Sequence, residues 1–137
     1  MPQTKVRWVA DGQFVGTDQN NQSVVMSGGS PPTGVSPSQL LLIGLSACTA
    51  IDVVGIMTKK RKPLTDLEVV ATGDRDPDPP WAYRHIHLTY RLAGRDLTEK
   101  AVSQAIQLSL DKYCSVAATV RGVAEISTSF EIDAFDK

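Results

Sequence analysis

Two cysteines, Cys48 and Cys114, are the side chains of this sequence best suited to covalent chemistry. The thiolate form of cysteine attacks electrophiles and binds metals. No secretory signal is evident at the N-terminus, and disulfides that act as structural staples are uncommon in cytosolic proteins. The plain alternative is that both cysteines are small buried hydrophobic residues. What surrounds each cysteine therefore decides between these interpretations.

The two cysteines have different surroundings. Cys48 lies in an apolar stretch, and Asp52 follows four residues later, so the two would share one face of a helix. A nearby carboxylate raises a thiol pKa unless a cation is also close, and Cys48 alone would be interpreted as core. Cys114 precedes a run of small residues, 115–119. If a helix begins there, its N–H groups would favour the Cys114 thiolate, although a tight helix junction would also select a small residue.

A long helix is predicted to carry the first cysteine. Ser36 fits the N-cap, Pro37 the first helical position, and Gln39 the second half of a capping box. The helix is expected to run to about Lys60, and Pro63 ends it. Because it is apolar on every side, it must be buried all round or span a membrane.

A membrane span is the less favoured interpretation of this helix. The apolar stretch from Leu40 to Met57 is at the short end of a span, which needs about 20 residues. Asp52 interrupts it, at a cost of about 2.5–3.5 kcal/mol on insertion scales. We therefore expect no membrane association and a cytoplasmic protein.

The remaining elements alternate between strands and one further helix. A second helix is predicted from Asp96, with Glu99 completing a capping box, to about Lys112. Alternating apolar and polar residues predict six strands, at 6–10, 14–15, 23–26, 67–71, 86–92 and 124–132. Asp11-Gly12 predicts a hairpin turn after the first strand. The order of strands, long helix, strands, helix and strand indicates an α+β fold in one domain, residues 1–137. Six short strands cannot cover a helix that is apolar all round, so a homodimer is expected.

The net charge of the chain limits the kinds of partner it can bind. The chain has 14 basic and 15 acidic residues, and its formal net charge is −1. A dedicated nucleic-acid-binding protein usually carries a basic excess. We therefore expect no nucleic-acid partner.

Three segments lead to or surround the two cysteines: SPSQLL at 36–41, SACTAIDVV at 46–54 and DKYCSVA at 111–117. These motifs resemble the OsmC/Ohr family, which joins osmotically inducible protein C to the organic hydroperoxide resistance proteins. The resemblance covers nearly the whole chain, and the cysteine motifs are most similar to the YhfA-like branch of the family.

The resemblance implies an OsmC-like fold, an intertwined homodimer with active sites at the subunit interface, and a thiol peroxidase that needs no cofactor or metal. Cys48 matches the peroxidatic cysteine and Cys114 the resolving cysteine. The Cys48 thiolate would attack a small organic hydroperoxide and become a sulfenic acid. Cys114 would condense with it, and an external dithiol would reduce the resulting disulfide.

Two departures from the family pattern bear on activity. Gln39 stands where active members have a glutamate that orients an arginine, and Arg7, the one arginine before Cys48, has no clear match to that arginine. Without the cation, a buried Cys48 would keep a raised pKa and react slowly. The sequence therefore predicts weak or absent hydroperoxide reduction, with Gln39, Arg7 and Asp52 as candidate supporting residues.

Two alternatives remain open. One is a non-catalytic member of the same fold that binds a small molecule or senses redox state. The other is a zinc site, because His85 and His87 would complete a Cys₂His₂ set with the two cysteines. Their spacing fits no known zinc pattern, and alternating histidines on a strand are more often a solvated sheet face.

Overall fold

The computed structural model describes residues 1–133 and divides the chain into two compact units, Met1–Leu41 and Leu42–Lys137. The predicted single domain over 1–137 includes residues 134–137, which lie outside the described part, and it stays a prediction. Each unit has its own three-stranded sheet.

The first unit is an antiparallel meander of three strands, in which each strand pairs with the next one along the chain. Asp11, with a φ of 49°, and Gly12 form the turn between the first two strands, which confirms the predicted hairpin. A side chain at position 12 would meet the backbone of Gly29 at 2.9 Å, so this turn requires glycine. The strands are β1 (Lys5–Ala10), β2 (Gln13–Thr17) and β3 (Ser23–Ser27).

The long helix α1 (Pro37–Lys59) begins at the end of the first unit and continues into the second. The second unit contains the strands β4 (Leu64–Arg75), β5 (Tyr83–Gly94) and β6 (Glu125–Ile132) and the helices α2 (Glu99–Leu108) and α3 (Ser115–Val120). In its sheet β5 lies between β4, to which it is antiparallel, and β6, to which it is parallel. A π-helical turn, Ser109–Tyr113, connects α2 and α3.

The core of the second unit forms where β5 meets the helices. Every second side chain of β5 is buried, as expected for a strand with one face on the core. α1 contributes residues at a spacing of four, which places them in one stripe of the helix. The buried residues of these two elements are Ile86, Leu88, Tyr90 and Leu92 of β5, and Leu45, Thr49, Val53 and Met57 of α1.

The opposite face of α1 is apolar and exposed in the single chain. Ile43, Ile51 and Val54 are all exposed, and Ile51 retains 72% of its accessible surface. The sequence predicted burial on all sides, whereas one chain buries one stripe. By length and composition alone, α1 is also the one helix in residues 1–133 that could cross a membrane. The core helix of a soluble protein meets the same criterion, and α1 packs its buried stripe into the core described above.

The second helix differs from its predicted bounds at both ends. Thr98, not Asp96, is the N-cap, and its side chain accepts the Ala101 N–H at 3.1 Å. Asp96 has a φ of 62°, whereas an N-cap residue needs extended backbone. The regular helix ends at Leu108, because the next turn is π-helical, so the predicted end near Lys112 is wrong.

Candidate active site

The structure brings the two cysteines together. α1 carries Cys48, and Cys114 lies between the π-helical turn and α3. Both are free thiols, and their side chains are hydrogen-bonded to each other. Cys114 is only 2% exposed, whereas Cys48 is half-buried. The half-buried thiol is therefore the one that a substrate can reach more easily.

Cys114 is held by its own backbone at the junction of two helical segments. Its N–H donates to the carbonyl of Ser109 at 2.7 Å, which closes the π-helical turn. Its φ of −78° and ψ of 103° then break the helix, and its sulfur accepts the Ala117 N–H at 3.4 Å as the N-cap of α3. The amides of Ser115 and Val116, at the start of α3, face the other cysteine and are hydrogen-bonded to it.

The pKa of Cys48 is lowered from its ordinary value. Burial acts to raise this pKa, but hydrogen bonds to the thiolate outweigh it: first the Val116 N–H, then the Cys114 thiol, then the hydroxyl and N–H of Ser115. The sequence argument for a raised pKa at Cys48 is therefore wrong. Backbone amides and two side-chain donors, rather than an arginine, stabilise the thiolate.

The pKa of Cys114 is raised to about 11. Burial is the main cause, and the hydrogen bond to Cys48 and the charge of its thiolate add to it, while the Ala117 and Val116 amides oppose it. α3 does begin after Cys114, and its amides do favour the Cys114 thiolate as expected, but burial outweighs them and the net shift is upward. Cys114 thus keeps its proton and donates it in a hydrogen bond to the Cys48 sulfur.

A chain of buried hydroxyls lies behind the thiol pair. The Ser109 hydroxyl donates to Asp52 Oδ2 at 2.9 Å, and Thr49 Oγ1 lies 2.8 Å from Ser109 Oγ and 2.9 Å from the hydroxyl of Tyr90. A hydroxyl has one proton, so the Thr49 proton goes to Ser109 and the Tyr90 proton to Thr49. Burial, as the largest cause, raises the pKa of Tyr90 to about 12, so this phenol stays a donor.

Asp52 does not act on the first cysteine as the sequence argument supposed. Its carboxylate accepts the Ser109 hydroxyl, and Asp52 is not among the groups that set the pKa of Cys48. Asp52 also lines an open cleft of about 450 Å³, which neither cysteine lines but which reaches Tyr113, the residue before Cys114. The rest of the lining is mainly apolar, with Ile51, Ile56, Leu108 and Tyr113, and includes Lys59 and Lys60.

Two further predicted site residues, Arg7 and Gln39, belong to the N-terminal unit. Arg7 is exposed on β1, opposite Val15, and Gln39 is exposed in the first turn of α1. Their proposed roles stay predictions.

The histidines lie on the solvated face of β5, opposite to its core face. His85 and His87 share the Ser127 hydroxyl at 2.7 Å each, and His87 also bonds Ser129 at 2.9 Å. Within residues 1–133, no group of three or more His, Cys, Asp or Glu could hold a metal ion. The Cys₂His₂ alternative therefore does not fit, because the sheet separates the histidines from the cysteines.

Comparison with known proteins identifies the family. A family model described as OsmC-like protein matches residues 28–129. The chain belongs to the OsmC-like family. Protein YhfA of Escherichia coli strain K12 is 37% identical over 130 residues, which cover 95% of this chain and 97% of YhfA. The predicted family and α+β fold are thus confirmed.

Solved structures show the same OsmC-like fold. A hypothetical protein from Aquifex aeolicus VF5 has a TM-score of 0.89 and 27% identity, and the match covers 100% of this chain and 98% of that one. The organic hydroperoxide resistance protein OhrB of Bacillus subtilis has a TM-score of 0.64 and 14% identity, over 96% and 98% of the two chains.

Sequence reasoning missed the hydroxyl chain and the amides at Cys48. Thr49 and Ser109 carried a usable signal, because each is a polar residue within an apolar helical stretch. Such residues are buried only when they have hydrogen-bond partners. The amides of Ser115 and Val116 carried no side-chain signal, since any non-proline residue supplies one.

Proposed function

We propose that this OsmC-like protein is a thiol-dependent peroxidase that reduces organic hydroperoxides through Cys48 and Cys114. The observation that carries the proposal is the hydrogen bond between two thiols whose pKa values are shifted in opposite directions. One sulfur is activated as a thiolate while its neighbour stays protonated, which is the division of labour between a peroxidatic and a resolving cysteine. The substrate class is suggested by OhrB, an organic hydroperoxide resistance protein of the same fold.

The reaction balances with these two residues and an external dithiol. The Cys48 thiolate attacks one peroxide oxygen, the O–O bond breaks, and a sulfenic acid forms while the departing alkoxide takes a proton from solvent. The Cys114 sulfur then attacks the Cys48 sulfur, and water leaves with the hydroxyl and the Cys114 proton. Thiol–disulfide exchange with the external dithiol restores both thiols and oxidises the dithiol to a disulfide.

The mostly apolar cleft that reaches from Asp52 to Tyr113, the residue before Cys114, suits the organic part of such a peroxide. Because Ile56, Leu108 and Tyr113 line it with carbon-rich side chains, an alkyl or aryl hydroperoxide would gain contacts that hydrogen peroxide cannot make. We expect an organic substrate to be preferred over hydrogen peroxide for this reason. The setting we propose is the cytoplasm, where thiols are kept reduced between turnovers.

The test is consumption of cumene hydroperoxide with dithiothreitol as the reductant. The sequence predicted weak or absent reduction, but because the Cys48 pKa is lowered we now expect wild type to turn over. Cys48→Ser is expected to be inactive, and Cys114→Ser to accumulate a sulfenic acid that dimedone traps. A Cys48→Ser variant with full activity would contradict the proposal. If the wild type is oxidised once but never turns over, the protein is a redox sensor, and if no oxidation of Cys48 can be trapped, a binding role is the better interpretation.

The functional assembly we propose is a homodimer. The exposed face of α1 with Ile43, Ile51 and Val54 would remain an apolar patch on a monomer. A second copy of the chain that covers it would bury more than about 2,000 Å² in total, as permanent dimers do. Sedimentation equilibrium at micromolar concentration tests this, and a stable monomer would contradict it.

A further inference from the structure

Two buried hydroxyls connect the elements that carry the two cysteines. Thr49 follows Cys48 on α1, and Ser109 is the first residue of the π-helical turn that ends just before Cys114. Thr49 and Ser109 are both fully buried, and their oxygens lie 2.8 Å apart. Burying hydroxyls is favourable only when they are paired, so this contact constrains the two elements strongly.

Ser109 makes its contacts in two directions. Its hydroxyl donates to Asp52 at 2.9 Å and accepts from Thr49, both on α1. Its carbonyl accepts the Cys114 N–H at 2.7 Å. One residue therefore joins the helix that carries Cys48 to the backbone of the other cysteine.

The π-helical geometry makes this connection consequential. A π turn contains one more residue than an α turn, so the place where it begins determines where Cys114 faces. If the turn were to relax to α-helical hydrogen bonding, the residues after it would rotate about the helix axis. The hydroxyl contacts of Ser109 with α1 oppose that change at the first residue of the turn.

We infer that Ser109 is a positioning residue, which together with Asp52 and Thr49 fixes the π-helical turn against α1 so that the Cys114 thiol reaches Cys48. The inference deepens the proposed function and rests on the two thiols acting as a pair, but it does not require that a peroxide be the oxidant. The competing view is that these hydroxyls only stabilise the fold.

Diamide provides a test that is independent of peroxide chemistry. The Cys48 thiolate adds to the N=N bond of diamide, and the Cys114 sulfur then displaces the hydrazine and forms the disulfide. The full-length reduced protein is mixed with diamide, and the rate of intramolecular disulfide formation is followed. The pH midpoint of Cys48 alkylation by iodoacetamide is measured in parallel, because general loss of stability does not shift it.

Four variants separate positioning from stability. Ser109→Ala removes both hydroxyl contacts of Ser109. Thr49→Val removes the neighbouring hydroxyl, and Thr49→Ser retains it. Tyr90→Phe is the matched control, because it removes a hydroxyl from the same buried chain on β5, which carries neither cysteine. Thermal unfolding of each variant gives its loss of stability.

We expect Ser109→Ala to slow disulfide formation on the order of tenfold or more, as small misplacements of reacting atoms do. Its alkylation midpoint should move to higher pH, because the Cys114 thiol and the α3 amides would no longer be aligned with Cys48. Thr49→Val should behave in the same direction and Thr49→Ser like wild type. Tyr90→Phe should be less stable but unchanged in both thiol measurements.

Equal slowing in Ser109→Ala and Tyr90→Phe, or slowing in proportion to lost stability, would overturn the inference. An unchanged rate in Ser109→Ala would do the same. If Ser109→Ala does not fold, the inference is tested by Thr49→Val against Thr49→Ser. Equal rates of disulfide formation in these two variants would overturn it. If wild type forms the disulfide with diamide in a Ser109-dependent way but never consumes cumene hydroperoxide, the inference stands and the proposed peroxidase function fails.

Discussion

Replacement of Ser115 by proline tests whether the start of α3 activates the first cysteine. Ser115 supplies both a hydroxyl and an N–H to the Cys48 thiolate, and proline has neither. Proline is well tolerated at the first position of a helix, which Ser115 occupies in α3. The preceding Cys114 has a φ of −78° and a ψ of 103°, a conformation that a residue before proline favours. The fold should therefore accept Ser115→Pro.

The size of the effect follows from the bonds removed. Two of the four hydrogen bonds that stabilise the thiolate are lost, although they are the weaker two. A hydrogen bond to a charged group contributes about 1.5–3 kcal/mol. Cys48 is only half-buried, so solvent weakens these bonds, and we assign about 1.4 kcal/mol to the two lost bonds together. Their loss makes the Cys48 thiolate population about tenfold smaller at a pH below its pKa. A more basic thiolate is also more nucleophilic, which leaves a net slowing of about threefold to fourfold.

The assay is the rate of Cys48 alkylation by iodoacetamide between pH 5 and pH 10, with the alkylated residue located by mass spectrometry. Ser115→Pro should react more slowly at neutral pH, and its profile should have a higher midpoint. Ser115→Ala is the matched control, because it removes the hydroxyl and retains the N–H, and it should lie between the two. If the Ser115→Pro profile coincides with that of wild type, the amides of α3 do not activate Cys48.

Three further predictions concern stability, activity and assembly. Folding raises the pKa of Cys114 to about 11 and that of Tyr90 to about 12. Each group therefore stabilises the fold fully at a pH below its pKa in the unfolded chain, and this stabilisation is lost as the pH rises through its pKa in the folded protein. Urea unfolding from pH 8 to pH 12 should show this loss, and Cys114→Ala should reduce it between pH 9 and pH 11. Gln39→Glu should change cumene hydroperoxide consumption less than twofold, because amides already stabilise the Cys48 thiolate; a rise of tenfold would show that the carboxylate is needed. Ile51→Lys should give a folded monomer by sedimentation equilibrium, because Ile51 is 72% exposed in the single chain, and an unchanged dimer would place the interface elsewhere.

Most of the fold was predictable because local patterns determine it. The strand alternation, the Asp11-Gly12 turn and the Pro37 helix start depend on neighbouring residues, and each is present in the structure. The parallel pairing of β6 with β5 was not predicted, since it depends on residues far apart in the chain. The π-helical turn was missed for a related reason, because Ser109–Tyr113 has the composition of an ordinary helix end.

The sequence identified the two cysteines of the candidate site but not the direction in which their pKa values are shifted. Cys48 and Cys114 were recognisable from the motifs around them, and the structure brings them together. The direction of each pKa shift was not recognisable, because it depends on where backbone amides point. The Val116 amide at the start of α3 acts on both sulfurs, and only the three-dimensional structure shows that burial outweighs the hydrogen bonds at Cys114 and not at Cys48.

The absence of a recognisable arginine partner and the presence of Gln39 can be understood together. An active-site arginine needs a carboxylate to orient it, whereas amides at the start of a helix are oriented by the backbone itself. If Val116 and Ser115 stabilise the thiolate, a glutamate at position 39 has no cation to hold, and glutamine is sufficient there. The activation of Cys48 then depends on the same turn that presents Cys114, so the acidity of one thiol and the proximity of the other are coupled. A change that moves this turn, such as Ser109→Ala, must therefore affect both properties at once, whereas an arginine-based site could lose its resolving thiol and still keep an acidic peroxidatic cysteine.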